Sequence, residues 1–171
     1  MKKITVGIPA FKAKNYIEKC ISSIYVQTMI EDISIIVATD HPNDDYNYLN
    51  QLYPTLDIKI LPCTKNVGPG LARQKCLDNC ETPWITFIDA DDVFFTPIAL
   101  EKLYKGIVND NVIEVQGTFL QQIDNHPDID FMPRNDITHP WVFGRLYNTK
   151  FLKDNGIKFS DLRAIKICGL I

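Results

Sequence analysis

At 171 residues the chain fits one domain and is long enough to bury a core of its own. Its composition, 46% hydrophobic, 23% charged and 11% aromatic, is that of an ordinary globular protein. A net charge of −3 leaves no basic excess to attract nucleic acid or anionic lipid, so any polyanionic partner has to be held locally, by a metal ion or a few placed donors.

Met1-Lys2-Lys3 opens like the charged start of a signal peptide, but the apolar stretch behind it is short and interrupted by Pro9 and Lys12. No run approaches the length of a membrane span. The five cysteines (20, 63, 76, 80 and 168) are odd in number and show no paired zinc spacing. Cys76 and Cys80 lie one helical turn apart and read as two small buried side chains. A reducing, cytoplasmic location is expected.

Strand and helix signals alternate along the chain. Ile4 to Ile8 is short, β-branched and stopped by Pro9, which predicts a strand. Tyr16, Ile17, Cys20, Ile21 and Ile24 recur with helical period. Ile33 to Ala38 reads as a second buried strand, Asp44 to Tyr53 as a helix, and Ile58 to Leu61 as a third strand. Asn66 and Gly68 form a turn, and Pro69 suits the first position of a helix carrying Leu71, Ala72, Cys76 and Leu77. Trp84 to Ile88 is a fourth strand that runs directly into Asp89-Ala90-Asp91-Asp92. Thr96-Pro97 reads as the cap and first turn of a helix with Leu100, Leu103, Tyr104 and Ile107 on one face. Val112 to Leu120 reads as one further strand, and Asp124 to Pro140 as a loop over the sheet. Thr149 to Asn155 reads as a short helix stopped by Gly156.

This alternation predicts an α/β fold, a mostly parallel sheet with helices on both faces. Ligands of such sheets bind beyond the carboxyl ends of the strands. Four features fall there: Pro9 to Phe11, Asp40, Asn66 to Gly68, and Asp89 to Asp92. They are far apart in sequence, and the fold would bring them to one rim.

The acidic turn carries the most chemistry. Three carboxylates so close raise one another's pKa unless a cation neutralises them. Oxygen ligands favour hard cations such as Mg2+ or Mn2+, which can bridge two phosphate oxygens and stabilise a leaving diphosphate. A solvated acidic loop capping the next helix is the plainer alternative. Asp40 could accept a hydrogen bond from a base N–H or a ribose hydroxyl, or be a turn residue before His41-Pro42. Phe11 could stack on a base or belong to the core. Arg73 could face a nucleotide or be a surface cation. Glycines around Pro69 look like a dinucleotide-binding turn, but the third glycine of that pattern falls at Arg73, and the strand before it is the third. His126 and His139 read as structural or exposed residues of the late loop. Trp141 could be core or could wall an acceptor site.

In these residues the chain resembles the family 2 glycosyltransferases, which have the GT-A fold. Ile8-Pro9-Ala10-Phe11-Lys12 is similar to that family's Pro-x-Tyr-Asn strand end, with phenylalanine for tyrosine and lysine for asparagine. Val37-Ala38-Thr39-Asp40 keeps only the second aspartate of the Val-Asp-Asp-Gly-Ser segment. Asn66-Val67-Gly68 with Ala72-Arg73-Gln74 resembles Asn-x-Gly…Ala-Arg-Asn, and Phe87 to Asp92 is close to the metal-binding motif. Trp141 to Tyr147 and Phe151 to Phe159 continue the likeness over nearly the whole chain.

The resemblance implies one domain over 1–171, with a nucleotide-sugar-binding core at 1–120 and the start of an acceptor-side region at 121–171. It implies transfer of a sugar, with inversion, from a nucleoside diphosphate donor (UDP-linked in most of the family) to a hydroxyl acceptor. Pro9, Ala10, Phe11, Asp40, Asn66, Gly68, Arg73, Asp89, Ala90 and Asp91 would form the donor site. Asp91, with Asp89, would bind Mn2+ or Mg2+. The family's usual base is a carboxylate shortly after the Asn-Gly-Ile-x-Phe stretch. Here no acidic residue follows Arg163, and Asp161 is the last carboxylate before the chain ends at Ile171, upstream of the base position. The chain therefore reads as a truncated family member. Two other readings compete with an active transferase: a donor-binding pseudoenzyme, and a phosphatase of the haloacid-dehalogenase type with Asp89 as nucleophile.

Overall fold

A computed structural model describes residues 1–122, 131–134, 141–160 and 167–168. Its main sheet has six strands in the order β3-β2-β1-β4-β8-β5. Strands β1 (Ile4–Ala10), β2 (Ile33–Thr39), β3 (Ile58–Leu61) and β4 (Trp84–Phe87) are parallel. Strand β8 (Arg145–Asn148) runs antiparallel between β4 and β5 (Glu114–Gln116). The sheet is thus mixed and mostly parallel.

Both faces are covered, as the apolar runs of β1 and β2 require. Side chains of Ile4, Val6, Ile8, Ile33, Ile35 and Val37 pack on one face with α1 (Ile17–Tyr25), α2 (Tyr48–Leu52) and α4 (Ala99–Lys105). Ile36, Ala38, Ile85 and Phe87 pack on the other with α3 (Pro69–Asp78) and α5 (Thr149–Asp154). Helix α3 approaches β1 closely because Gly7 has no side chain. A Cβ there would lie 2.9 Å from Cys76 Cβ and 3.0 Å from the Phe87 ring.

Several elements differ from the sequence-based expectation. The helix expected from Asp44 is confined to Tyr48–Leu52, because Asp45 spends its side chain on the nearby Asn47 N and Asp44 spends its own on the Tyr46 hydroxyl and the distant Lys12 N. Helix α4 begins at Ala99, not at Thr96-Pro97. Its cap comes from a distant residue: Gln27, 2% exposed, accepts from Leu100 N at 3.1 Å and donates to Thr96 O at 2.9 Å. The single strand expected over Val112–Leu120 is two, β5 and β6 (Phe119–Gln122). They part at Gly117, whose N–H turns to Gly144 O at 2.8 Å. The expected loop contains β7 (Phe131–Arg134), paired antiparallel with β6; the rest of it, with His126 and His139, lies outside the described residues. Strand β8 carries too short an apolar pattern to be anticipated. Tyr16, expected on the buried face of α1, is 54% exposed. No helix among the described residues is long and apolar enough to cross a membrane.

Gly7→Ala tests the approach of α3 to the sheet. Overpacking at that contact is expected to cost about 1–3 kcal/mol, read as a lower urea midpoint with an unchanged slope.

Candidate functional site

The rim opens where β1 and β4 part. Pairing between them ends at Gly7 and Phe87. Ile88 N still donates to Gly7 O at 3.2 Å, whereas Asp40 N donates to Ala10 O at 2.8 Å. In a parallel strand, alternate residues turn their N–H and C=O to opposite neighbours. Pro9 therefore turns its nitrogen toward β4, where it has no hydrogen to donate. The ladder stops there, leaving a crevice at the point where the strand order changes direction.

Each side of the crevice is built from the residues singled out above. Pro9 and Ala10 are buried at the end of β1, and Phe11 stands 48% exposed just beyond. Its exposure removes the core alternative. Asp40 is 3% exposed. Its Oδ1 accepts from Val67 N at 2.6 Å and from Gly68 N at 3.0 Å, tying the end of β2 to the turn before α3. Asn66 is exposed, and its Oδ1 also accepts from Gly68 N, at 3.2 Å. Gly68 needs to be glycine for its backbone rather than for space: its φ is 85°, and a Cβ would meet nothing within 4 Å.

Arg73 is no surface cation. Its side chain is 6% exposed, and its Nη2 donates to Asp89 Oδ1, whose own side chain is 35% exposed. Among the described residues, the buried Arg73 Nε has no hydrogen-bond partner. Arg73 thus spends its charge on Asp89, fixing that carboxylate at the end of β4. Beneath the acidic turn, Cys20 Sγ donates to Asp89 O at 3.7 Å, and Ser23 Oγ accepts from Phe94 N at 3.0 Å. Ala90 is buried, whereas Asp91 and Asp92 are exposed. Solvent reaches Asp92, yet its carboxyl is pushed up to about 6, first by the hydration it loses on the side turned to the protein and second by the charges of Asp89 and Asp91.

Among the described residues, no three His, Cys, Asp or Glu side chains converge to hold a metal ion. That donor set still fits Mg2+ or Mn2+. Hard cations of this kind are commonly bound by one or two carboxylates, with phosphate oxygens and water filling the other positions. Asp161 lies outside the described residues. Beside the turn, Trp141, 41% exposed, stacks on Phe143 at 5.6 Å between centroids, and Phe143 bridges Phe87. Sequence reasoning passed over Asp44, His41 and Cys20. The first two lie within four residues of Asp40, which was the only available signal.

A GT-A-type sheet split at its centre, with an acidic turn on one lip, defines the class of this domain. The model of Glycosyl transferase family 2 matches residues 5–164, and the chain belongs to that family. A similar curated protein is the glycosyltransferase GlyA of Streptococcus pneumoniae serotype 4, 36% identical over 107 residues, covering 62% of this chain and 15% of that protein. Two similar solved structures share the fold. S. aureus TarS 1–349 in complex with UDP-GlcNAc has a TM-score of 0.78 at 20% identity, over 96% of this chain and 51% of that one. The mannosyltransferase PcManGT of Pyrobaculum calidifontis, with GDP-Man and Mn2+, has a TM-score of 0.70 at 14% identity, over 93% and 48%. The chain thus spans about half of these solved chains and a smaller part of GlyA.

Two predictions follow from the charges. Asp89→Ala strands a guanidinium that water barely reaches, and is expected to cost about 3–5 kcal/mol of stability without ligand. Arg73→Met leaves a carboxylate that water does reach, so its cost should be smaller, below about 2 kcal/mol; urea titration of both checks the order. For Asp92, folded chains keep the proton up to about pH 6, whereas its ordinary value is 3.8. Folded chains then bind more protons in that window, so stability falls as pH rises through it and stays lower above. With a chelator present, Asp92→Asn should gain on the wild type between about pH 4 and about pH 7 in melting temperature. Water reaches the residue, so the gain should be small, and its sign is the test.

Proposed function

We propose that this domain binds a nucleoside diphosphate sugar, with UDP as the nucleotide, and transfers the sugar to a hydroxyl acceptor with inversion. The convergence of Phe11, Asp40, the Arg73–Asp89 pair and Asp91 on the crevice between β1 and β4 carries this reading. Phe11 offers an exposed ring face for a base. Asp40 has one carboxylate oxygen committed to the backbone, and its other can accept from the base. Asp89, held by Arg73, is suited to a ribose hydroxyl. Residues 1–120 would be the donor half and 121–171 the start of the acceptor half, where Trp141 and Phe143 form an aromatic wall. The UDP-GlcNAc-bound and the Mn2+-bound structures of the same fold support a nucleotide-sugar donor and a divalent ion.

Asp91, with Asp89, would hold Mn2+ or Mg2+. Held there, such an ion would supply positive charge to offset that of a leaving diphosphate. Asp89 already has a cationic partner, so the protein alone is a poor cation site and the nucleotide completes it. Among the described residues, Cys20, Cys63, Cys76 and Cys80 are free thiols, which suits a reducing cytoplasm. The acceptor's base is assigned to no described residue.

The test is thermal stability with UDP and Mn2+, separately and together. UDP at a hundred times its Kd should add about 2.7 kcal/mol of stability. Mn2+ alone should shift the melting temperature little, and the two together more than their sum. Asp91→Asn should remove the Mn2+-dependent part and leave the shift by UDP alone. No shift with any nucleoside diphosphate, with or without the ion, would sink the proposal.

A further inference from the structure

Asp44 lies in the loop between β2 and α2, and no role assigned so far uses it. Its Oδ2 accepts from Lys12 N at 2.7 Å and from the Tyr46 hydroxyl at 2.9 Å. That hydroxyl in turn accepts from Ala13 N at 2.9 Å, and Tyr46 is 1% exposed. One carboxylate and one buried phenol thus take two successive backbone N–H groups of the turn that follows β1. On its other side, Asp44 Oδ1 stands 3.6 Å from His41 Nδ1.

The turn held this way is strained. Lys12 has a φ of 49° and is the one non-glycine residue with positive φ among the described residues. A side chain with a Cβ is disfavoured in that region, and lysine lacks the local hydrogen bonding that lets asparagine visit it. Such a conformation persists only where its surroundings over-determine it. The surroundings here are Asp44 and Tyr46. What the turn presents is Phe11, one residue before. The Phe11 ring has the Lys12 ammonium 5.3 Å from its centroid and the His41 ring edge-on at 5.8 Å. His41 directly follows Asp40. The β1–β2 ladder fixes the two strand ends themselves, and the Asp44 carboxylate ties the turn that carries Phe11 to the loop that follows Asp40.

We infer that Asp44 is a positioning residue for the nucleotide base: by holding Lys12 left-handed, it sets the Phe11 ring opposite Asp40, so that a base fits between them. This rests on the nucleotide-binding reading above. It does not require Asp44 to touch the nucleotide.

The experiment is a mutant cycle on the full chain, with UDP affinity measured by titration and folding by thermal melt. Asp44→Ala should weaken UDP binding about tenfold, and Asp44→Asn, which keeps an oxygen for Lys12 N–H, less than about threefold. Glycine adopts the required φ unaided, so in a Lys12→Gly background the Asp44→Ala loss should shrink to less than about threefold. A purely structural role would not be rescued in this way. Unchanged UDP affinity in a folded Asp44→Ala protein overturns the inference. So does an equal loss in both backgrounds. Should Asp44→Ala not fold, Tyr46→Phe, which removes the hydroxyl that supports the carboxylate, takes its place with the same outcomes. A folded wild type that binds no UDP overturns the nucleotide reading and this inference together. An intact wild-type affinity with no coupling overturns this inference alone.

Discussion

Strand β1 passes through the middle of the sheet, paired on both sides, yet it contains a proline. Pro9 can sit there because its nitrogen faces β4 one step after that ladder has ended. The rest of the rim depends on this point. If β1 and β4 stayed paired in the same register, Asp89 would fall opposite Pro9 and Asp91 opposite Phe11, with no crevice between them. Because they part, the chain can turn at Lys12 on one side and at Ala90 on the other, and side chains fill the rim of the gap.

Two further contacts determine which side chains reach it. Gly7 lets α3 lie close on β1, and Arg73, one turn ahead of Cys76, then extends along the sheet to Asp89. Asp40 holds the turn before the same helix from the other side. Helix α3 is therefore fastened to the ends of both β2 and β4, the two strands that flank β1. An arrangement of buried charges like this is costly to disturb, since each carboxylate or guanidinium left alone would lose its compensation. It also pre-orients the groups before any ligand arrives, which lowers the ordering cost of binding.

Much of the architecture could be read in the chain. The β-branched runs at 4–8, 33–38 and 58–61, and the apolar run into Asp89, marked the parallel strands because each is short and rich in β-branched or aromatic residues; all but the edge strand at 58–61 are buried on both faces. Their order along the chain also placed Phe11, Asp40, Gly68 and Asp89 at one end of the sheet. Strand β8 escaped notice because its four residues divide between the two cores, with Leu146 in one and Tyr147 in the other. The start of α4 was misplaced because its capping group, Gln27, comes from another element, and no local pattern at Thr96-Pro97 records that.

The sequence by itself determined the periodicity, the strand ends and the kinds of side chain at each: an aromatic, an acid, a helix-borne arginine and an acidic turn. These are local properties, written in spacing and residue type. Only the tertiary structure decided the pairings. That Arg73 neutralises Asp89, that Asp40 caps a turn nearly thirty residues away, and that Asp44 braces Lys12 all depend on which elements lie side by side. A carboxylate's partner is chosen by distance in space, and the chain alone gives only distance along itself.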